Sequence, residues 1–125
     1  MAGRRESQVI AVVDDDELMR DALRGLLKEA GVPACLFASA EELLESGQQH
    51  QAACLIADIR LPGMSGLDLQ ARLNADRIMI PIIFITAHGD EQLRMQALRA
   101  GAAGFLAKPF DDEVLLDHVR LVLDR

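Results

Sequence analysis

Asp14, Asp15 and Asp58 are carboxylates that directly follow short apolar runs, Val9-Ile10-Ala11-Val12-Val13 and Cys54-Leu55-Ile56-Ala57. Thr86 closes a third run, Ile82-Ile83-Phe84-Ile85, and Lys108 follows a fourth over 102–107. Apolar runs of this length, bounded by turn residues, read as strands buried on both faces. Such strands belong to parallel sheets, whose carboxyl ends share one edge, and ligands bind beyond that edge. The five residues therefore gather three carboxylates, a hydroxyl and an ammonium. Grouped carboxylates repel unless a cation joins them. Oxygen-only donors select Mg²⁺ or a similarly hard ion such as Mn²⁺, which keeps open positions for phosphate oxygens. A carboxylate beside such an ion can attack phosphorus and form an aspartyl phosphate. Metal and lysine would neutralise the transferring group, and Thr86 would donate to a phosphoryl oxygen.

Taken singly, each residue has a plainer role. Acidic residues at 14–17 satisfy the amides and dipole of a helix start, and this is the main reading of Asp16 and Glu17. Asp58 alone reads equally as a loop cap, Thr86 as a strand-end hydroxyl, Lys108 as a loop charge and His88 as a loop histidine. Their joint place on one sheet edge is what argues for a site.

The elements that would position them alternate five times. Strands are expected at 8–13, 34–37, 53–58, 81–86 and 102–107. The first helix shows Leu18, Ala22, Leu23, Leu26, Leu27 and Ala30 on one face. Gly31 ends it and Pro33 blocks its continuation. Ser39 caps the second helix, with Glu42 completing a capping box, and Leu43 and Leu44 lead to Gly47. Leu67, Ala71 and Leu73 give the third helix. Asp90 caps the fourth, with Leu93, Ala97 and Ala100 inward, and Asp111 caps the fifth. This pattern means an α/β fold: a single doubly wound, five-stranded parallel sheet with helices on both faces.

Size and charge bound the function. The chain has 125 residues, enough for one domain, and a net charge of −7. An acidic surface argues against direct nucleic-acid or anionic-membrane binding. No apolar run reaches the length of a membrane span. Residues 1–7 form a flexible N-terminal tail without the apolar stretch of a signal peptide, so a cytoplasmic location is expected. Cys35 and Cys54 lie in apolar segments and read as buried free thiols.

From Gln8 onward the sequence resembles the receiver domain of bacterial two-component response regulators. The resemblance is carried by Val12-Val13-Asp14-Asp15, by Asp58 with Leu61-Pro62-Gly63-Met64-Ser65-Gly66, by Ile85-Thr86-Ala87 and by Lys108-Pro109-Phe110. His88-Gly89-Asp90 and Lys108-Pro109-Phe110 look most like the FixJ-like branch, whose members usually carry a helix-turn-helix output domain. The resemblance implies a flavodoxin-like sheet of order 2-1-3-4-5 over residues 8–125. It implies that Asp58 accepts a phosphoryl group from a sensor histidine kinase. Asp14, Asp15, Asp58 and the Arg60 backbone carbonyl would hold Mg²⁺, and Thr86, Ala87 and Lys108 would bind the phosphoryl group. The Lys108–Pro109 bond would be cis. Phe105 stands at the switch aromatic and lacks a hydroxyl. Arg60 and His88 would tune dephosphorylation.

Two other classes compete with a signalling module. An aspartyl-phosphate phosphatase of the haloacid dehalogenase kind would use the Asp-x-Asp spacing of Asp14-Asp15-Asp16, yet the following Thr is absent and little chain remains for a cap. A flavin binder would need a Ser, Thr and Gly loop after the first strand, and that loop is acidic. Output is expected from the fourth helix, fifth strand and fifth helix. There Met95, Leu98, Val114, Leu116, Leu121 and Leu123 exceed what the core needs, and such excess marks a partner surface. A phosphorylation-dependent homodimer is the expected use; a generous core flank or contact with a downstream domain is the other reading.

Overall fold

The computed structural model describes residues 8–87 and 91–124. The expected tail at 1–7, the role of His88 and the Asp90 cap lie outside the described residues. Strands β1 (Ile10–Val13), β2 (Ala34–Phe37), β3 (Cys54–Asp58), β4 (Ile82–Thr86) and β5 (Gly104–Ala107) form one sheet in the order β2-β1-β3-β4-β5. Every pairing is parallel. Between and after them run α1 (Glu17–Glu29), α2 (Ala40–Ser46), α3 (Gly66–Ala75), α4 (Glu91–Arg99) and α5 (Asp112–Leu123). This is the doubly wound, flavodoxin-like arrangement, with its switch point between β1 and β3.

The two-residue period of a strand divides the core. Ala11, Val13, Leu55, Ala57, Ile82 and Phe84 face α2, α3 and α4 through Leu43, Leu69, Leu73 and Ala97. Ile10, Val12, Ile56, Ile83 and Ile85 face α1 and α5 through Leu23, Leu27, Leu115 and Val119. Cys54 lies in this second layer, where burial pushes its thiol up to about 12, so it stays protonated and inert. The register aligns Val13 with Ala57, Asp58 with Ile85 and Thr86 with Ala107. Asp14 and Lys108 each follow the last of these paired positions, so the polar side chains emerge together.

Helix phases differ from the sequence pattern in places. On α1, Leu18 is 80% exposed and Ala22 is exposed; Met19, Leu23, Leu26, Leu27 and Ala30 carry the inner face. Asp16 caps the helix by accepting from the Leu18 amide at 3.0 Å, and this sets Leu18 outward. On α3 the buried positions are Gly66, Leu69, Gln70 and Leu73, and Ala71 is exposed. Ala100 is also exposed; it sits just past α4, where its carbonyl accepts from Asn74 Nδ2 at 3.1 Å. Ser39 accepts from Glu42 N–H at 3.1 Å, but Glu42 Oε1 accepts from Ala38 N–H, one residue before the cap. The reciprocal capping box forms instead at Ser65 and Asp68 of α3. A 3₁₀ turn, Gln48–His50, fills the stretch before β3.

Candidate functional site

β1, β3, β4 and β5 deliver Asp14, Asp58, Thr86 and Lys108 to one corner. Lys108 Nζ donates to Asp14 Oδ2 at 2.9 Å and to Asp58 Oδ2 at 2.8 Å. The other carboxylate oxygens take backbone amides. Asp14 Oδ1 accepts from Asp16 N–H, and Asp58 Oδ1 from Arg60 N–H, each at 2.9 Å. Asp14 is fully buried and Asp58 nearly so, while Asp15 faces solvent. Ligand-capable oxygens of Asp14, Asp15 and Asp58 lie within 4.8 Å of one another.

Burial pushes the Asp14 carboxyl above its usual value, against the pull of the Asp16 amide and of Lys108. Burial alone would lower Lys108. Its hydrogen bonds to Asp58 and Asp14 outweigh that and hold it above its ordinary value. Lys108 is thus a firm cation among carboxylates. Thr86 is fully buried, and its Oγ1 has no hydrogen-bond partner among the described residues. A buried hydroxyl without a partner is costly in a packed fold, and this one stands at the sheet edge beside Lys108, free to donate to a group that enters the corner. The Thr86 carbonyl accepts from Lys108 N–H at 2.7 Å, which holds the ends of β4 and β5 side by side.

The remaining residues singled out from sequence spread around this corner. Ala87 and Arg60 are exposed at its rim. The Lys108–Pro109 bond is cis. Phe105 is half-buried and packs against the layer of α2, α3 and α4. Met95, Leu98, Val114 and Leu121 are exposed by 40%, 37%, 41% and 69%. Leu116 and Leu123 do not join them: Leu116 is buried and Leu123 packs on the same core, because α5 presses a broad face onto the sheet.

Two side chains that contact the site region were not legible in the sequence. Arg20 Nη1 donates to the Asp14 carbonyl at 2.7 Å; its signal was its helical spacing from Asp16. Glu41 Oε2 accepts from Met64 N–H at 2.8 Å; nothing local marks it.

The donor set fits a hard divalent ion: three clustered carboxylates and no nitrogen or sulfur. The phosphatase alternative fares worse, because Asp16 is turned away to cap α1 and so supplies no second carboxylate of an Asp-x-Asp pair. No helix among the described residues is long and apolar enough to cross a membrane.

Comparison with known proteins agrees with this geometry. Residues 10–120 match the family described as the response regulator receiver domain. Nodulation protein W of Bradyrhizobium diazoefficiens is 45% identical over 117 residues, 94% of this chain and 52% of that protein. Transcriptional regulatory protein FixJ of Azorhizobium caulinodans is 40% identical over 120 residues, 96% of this chain and 57% of that protein. The crystal structure of FixJ-N superposes with a TM-score of 0.85 at 34% identity, covering 94% of each chain. The chain spans about half the length of the curated relatives it matches. On the family match over most of its length and the likeness to FixJ, the chain belongs to the response regulator receiver domains of two-component systems, in the FixJ-like branch.

Proposed function

We propose that Asp58 accepts a phosphoryl group from a sensor histidine kinase, and that the resulting charge switches the surface of α4, β5 and α5. The observation that carries this reading is the Lys108 ammonium bridging Asp14 and Asp58 beside the unpartnered Thr86 hydroxyl. Asp14, Asp15, Asp58 and the Arg60 carbonyl would hold Mg²⁺ or Mn²⁺. When bound, the ion neutralises charge on the transferring phosphoryl group. An Asp58 carboxylate oxygen attacks phosphorus, the P–N bond of the phosphohistidine breaks, and its electron pair stays on the imidazole. Lys108 passes its hydrogen bond from Asp58 to a phosphoryl oxygen and keeps its bond to Asp14. Thr86 Oγ1 turns to donate to a second oxygen, and the amide of Ala87 to a third. Phe105 fills the space that Thr86 leaves. Arg60, exposed at the rim of the corner, and His88 would tune the lifetime of the acyl phosphate. The only reactions expected are this phosphorylation and hydrolysis of the acyl phosphate to inorganic phosphate, in the cytoplasm, with dimerisation or control of transcription as the output.

The test is incubation with acetyl phosphate and Mg²⁺, which adds the mass of one phosphoryl group. No gain at saturating Mg²⁺ would overturn the reading. The metal assignment makes a separate prediction. Mg²⁺ raises the melting temperature of the wild type, and Asp15→Asn removes that rise. Because Asp15 faces solvent, the metal-free variant melts no lower than wild type. A full Mg²⁺ response in Asp15→Asn would remove Asp15 from the ligand set.

Output should appear as assembly. Met95, Leu98, Val114 and Leu121 form the exposed apolar surplus of α4 and α5. Phosphorylation shifts a pre-existing equilibrium toward a form in which they pair across a symmetric dimer. Light scattering with beryllofluoride should show a doubled mass that Leu98→Asp prevents. A monomer mass at high concentration, or a dimer indifferent to Leu98→Asp, would refute this use of the surface.

A further inference from the structure

We infer that Glu41 is a positioning residue for the phosphoacceptor loop, acting from α2 on the segment that carries Arg60; this rests on the phosphoacceptor reading of Asp58. The segment 59–66 turns out of β3, and most of its amides are held locally. Arg60 N–H donates to Asp58 Oδ1. Leu61 and Gly66 donate to the Ile59 carbonyl at 3.2 and 2.8 Å. Ser65 donates to Asp68 Oδ2 at 3.1 Å. Met64 N–H instead donates to Glu41 Oε2 at 2.8 Å, across to another element.

The residue before Met64 is shaped to admit that carboxylate. Gly63 has φ +73, and a Cβ there would stand 2.7 Å from Glu41 Oε2. The backbone conformation demands glycine, and the absence of a Cβ leaves the Glu41 carboxylate room to reach the Met64 amide. Glu41 is exposed but sits in the first turn of α2, where a negative charge suits the helix dipole, between the buried Ala40 and Leu43 that fix this end of the helix. The bond it makes is to the loop backbone, so its effect on Asp58 passes through the loop. A segment tied at its tip has less conformational freedom to lose when Arg60 and Asp58 engage a ligand. Without the tie, ligand binding must order the segment as well.

Three proteins decide the matter: wild type, Glu41→Ala, and Glu41→Gln, which keeps an acceptor oxygen. The first readout is amide hydrogen exchange at Met64 without metal. Exchange should speed up in Glu41→Ala and stay slow in Glu41→Gln. The second is the Mg²⁺ concentration for half-maximal phosphorylation by acetyl phosphate. It should rise roughly three- to tenfold in Glu41→Ala, the range one solvent-exposed hydrogen bond supplies, with full phosphorylation at saturating Mg²⁺. Glu41→Gln should restore most of the wild-type value. Unchanged Met64 exchange in Glu41→Ala, or wild-type phosphorylation with unchanged Mg²⁺ demand in Glu41→Ala, overturns this proposal alone. A wild-type chain that takes no phosphoryl group overturns the phosphoacceptor reading and this inference with it.

Discussion

Asp58→Asn should take up no phosphoryl group from acetyl phosphate and Mg²⁺, while the wild type should gain one. The substitution is nearly isosteric, so the corner keeps its shape. The amide oxygen it introduces can still accept from Arg60 N–H, as Asp58 Oδ1 does now. What disappears is the nucleophile, since a neutral amide oxygen does not displace a leaving group from phosphorus. Two other carboxylates stand close enough to be considered substitutes. Asp14 is fully buried, with one oxygen on Lys108 and the other on the Asp16 amide. Asp15 is exposed to solvent beyond the end of β1, away from the Lys108 ammonium that bridges the other two. Asp58 alone combines an outlet to solvent with Lys108 on one oxygen. The effect expected is therefore complete loss, read by intact mass, with an unchanged far-ultraviolet circular dichroism spectrum. An equal mass gain in the variant would move the acceptor elsewhere.

Gly66→Ala should be among the most destabilising single changes outside the hydrophobic core. An added Cβ would lie 2.4 Å from the Asp58 carbonyl oxygen, 2.8 Å from Ile59 Cα and 3.1 Å from Phe84 Cε1. The first two are backbone atoms and cannot rotate aside. Relief requires the start of α3 to move off the end of β3, which breaks the 2.8 Å bond from Gly66 N–H to the Ile59 carbonyl. Overpacking of this kind costs about 3 kcal/mol, which lowers the melting temperature by roughly 10 °C in a domain of this size. Phosphorylation should fall as well, because the displaced backbone carries the acceptor. Thermal unfolding of the variant, with a melting temperature within about 3 °C of wild type, would show that the loop yields more easily than its contacts imply.

The sheet was legible because its strands are buried on both faces and so appear as unbroken apolar runs. The polar corner was legible for the same reason: each functional residue terminates such a run. Helix phase was less so. Leu18 looked like the first inward residue of α1, but the side-chain cap from Asp16 places it outward. Gln70 could not be read as buried, because the acceptor that satisfies it is the Ala97 carbonyl of a helix remote in sequence. Ala71, small and apolar, was mistaken for a core residue in its place. Leu116 and Leu123 were assigned to the surface on the assumption of a narrow α5 stripe, whereas α5 buries a wide one. Glu41 and Arg20 were missed because each acts on a backbone group, and a backbone group leaves no trace in residue type.

Lys108 brings a last consequence. Its ammonium already lies between Asp14 and Asp58, so the chain supplies its own counter-ion for the most crowded carboxylates. Small metalloproteins that rely on an external ion for this fold only when it arrives. Here the proposed divalent ion would load onto a fold whose two buried carboxylates Lys108 already neutralises in part. Folding and loading would then be separate events, and the switch could be emptied and refilled without unfolding.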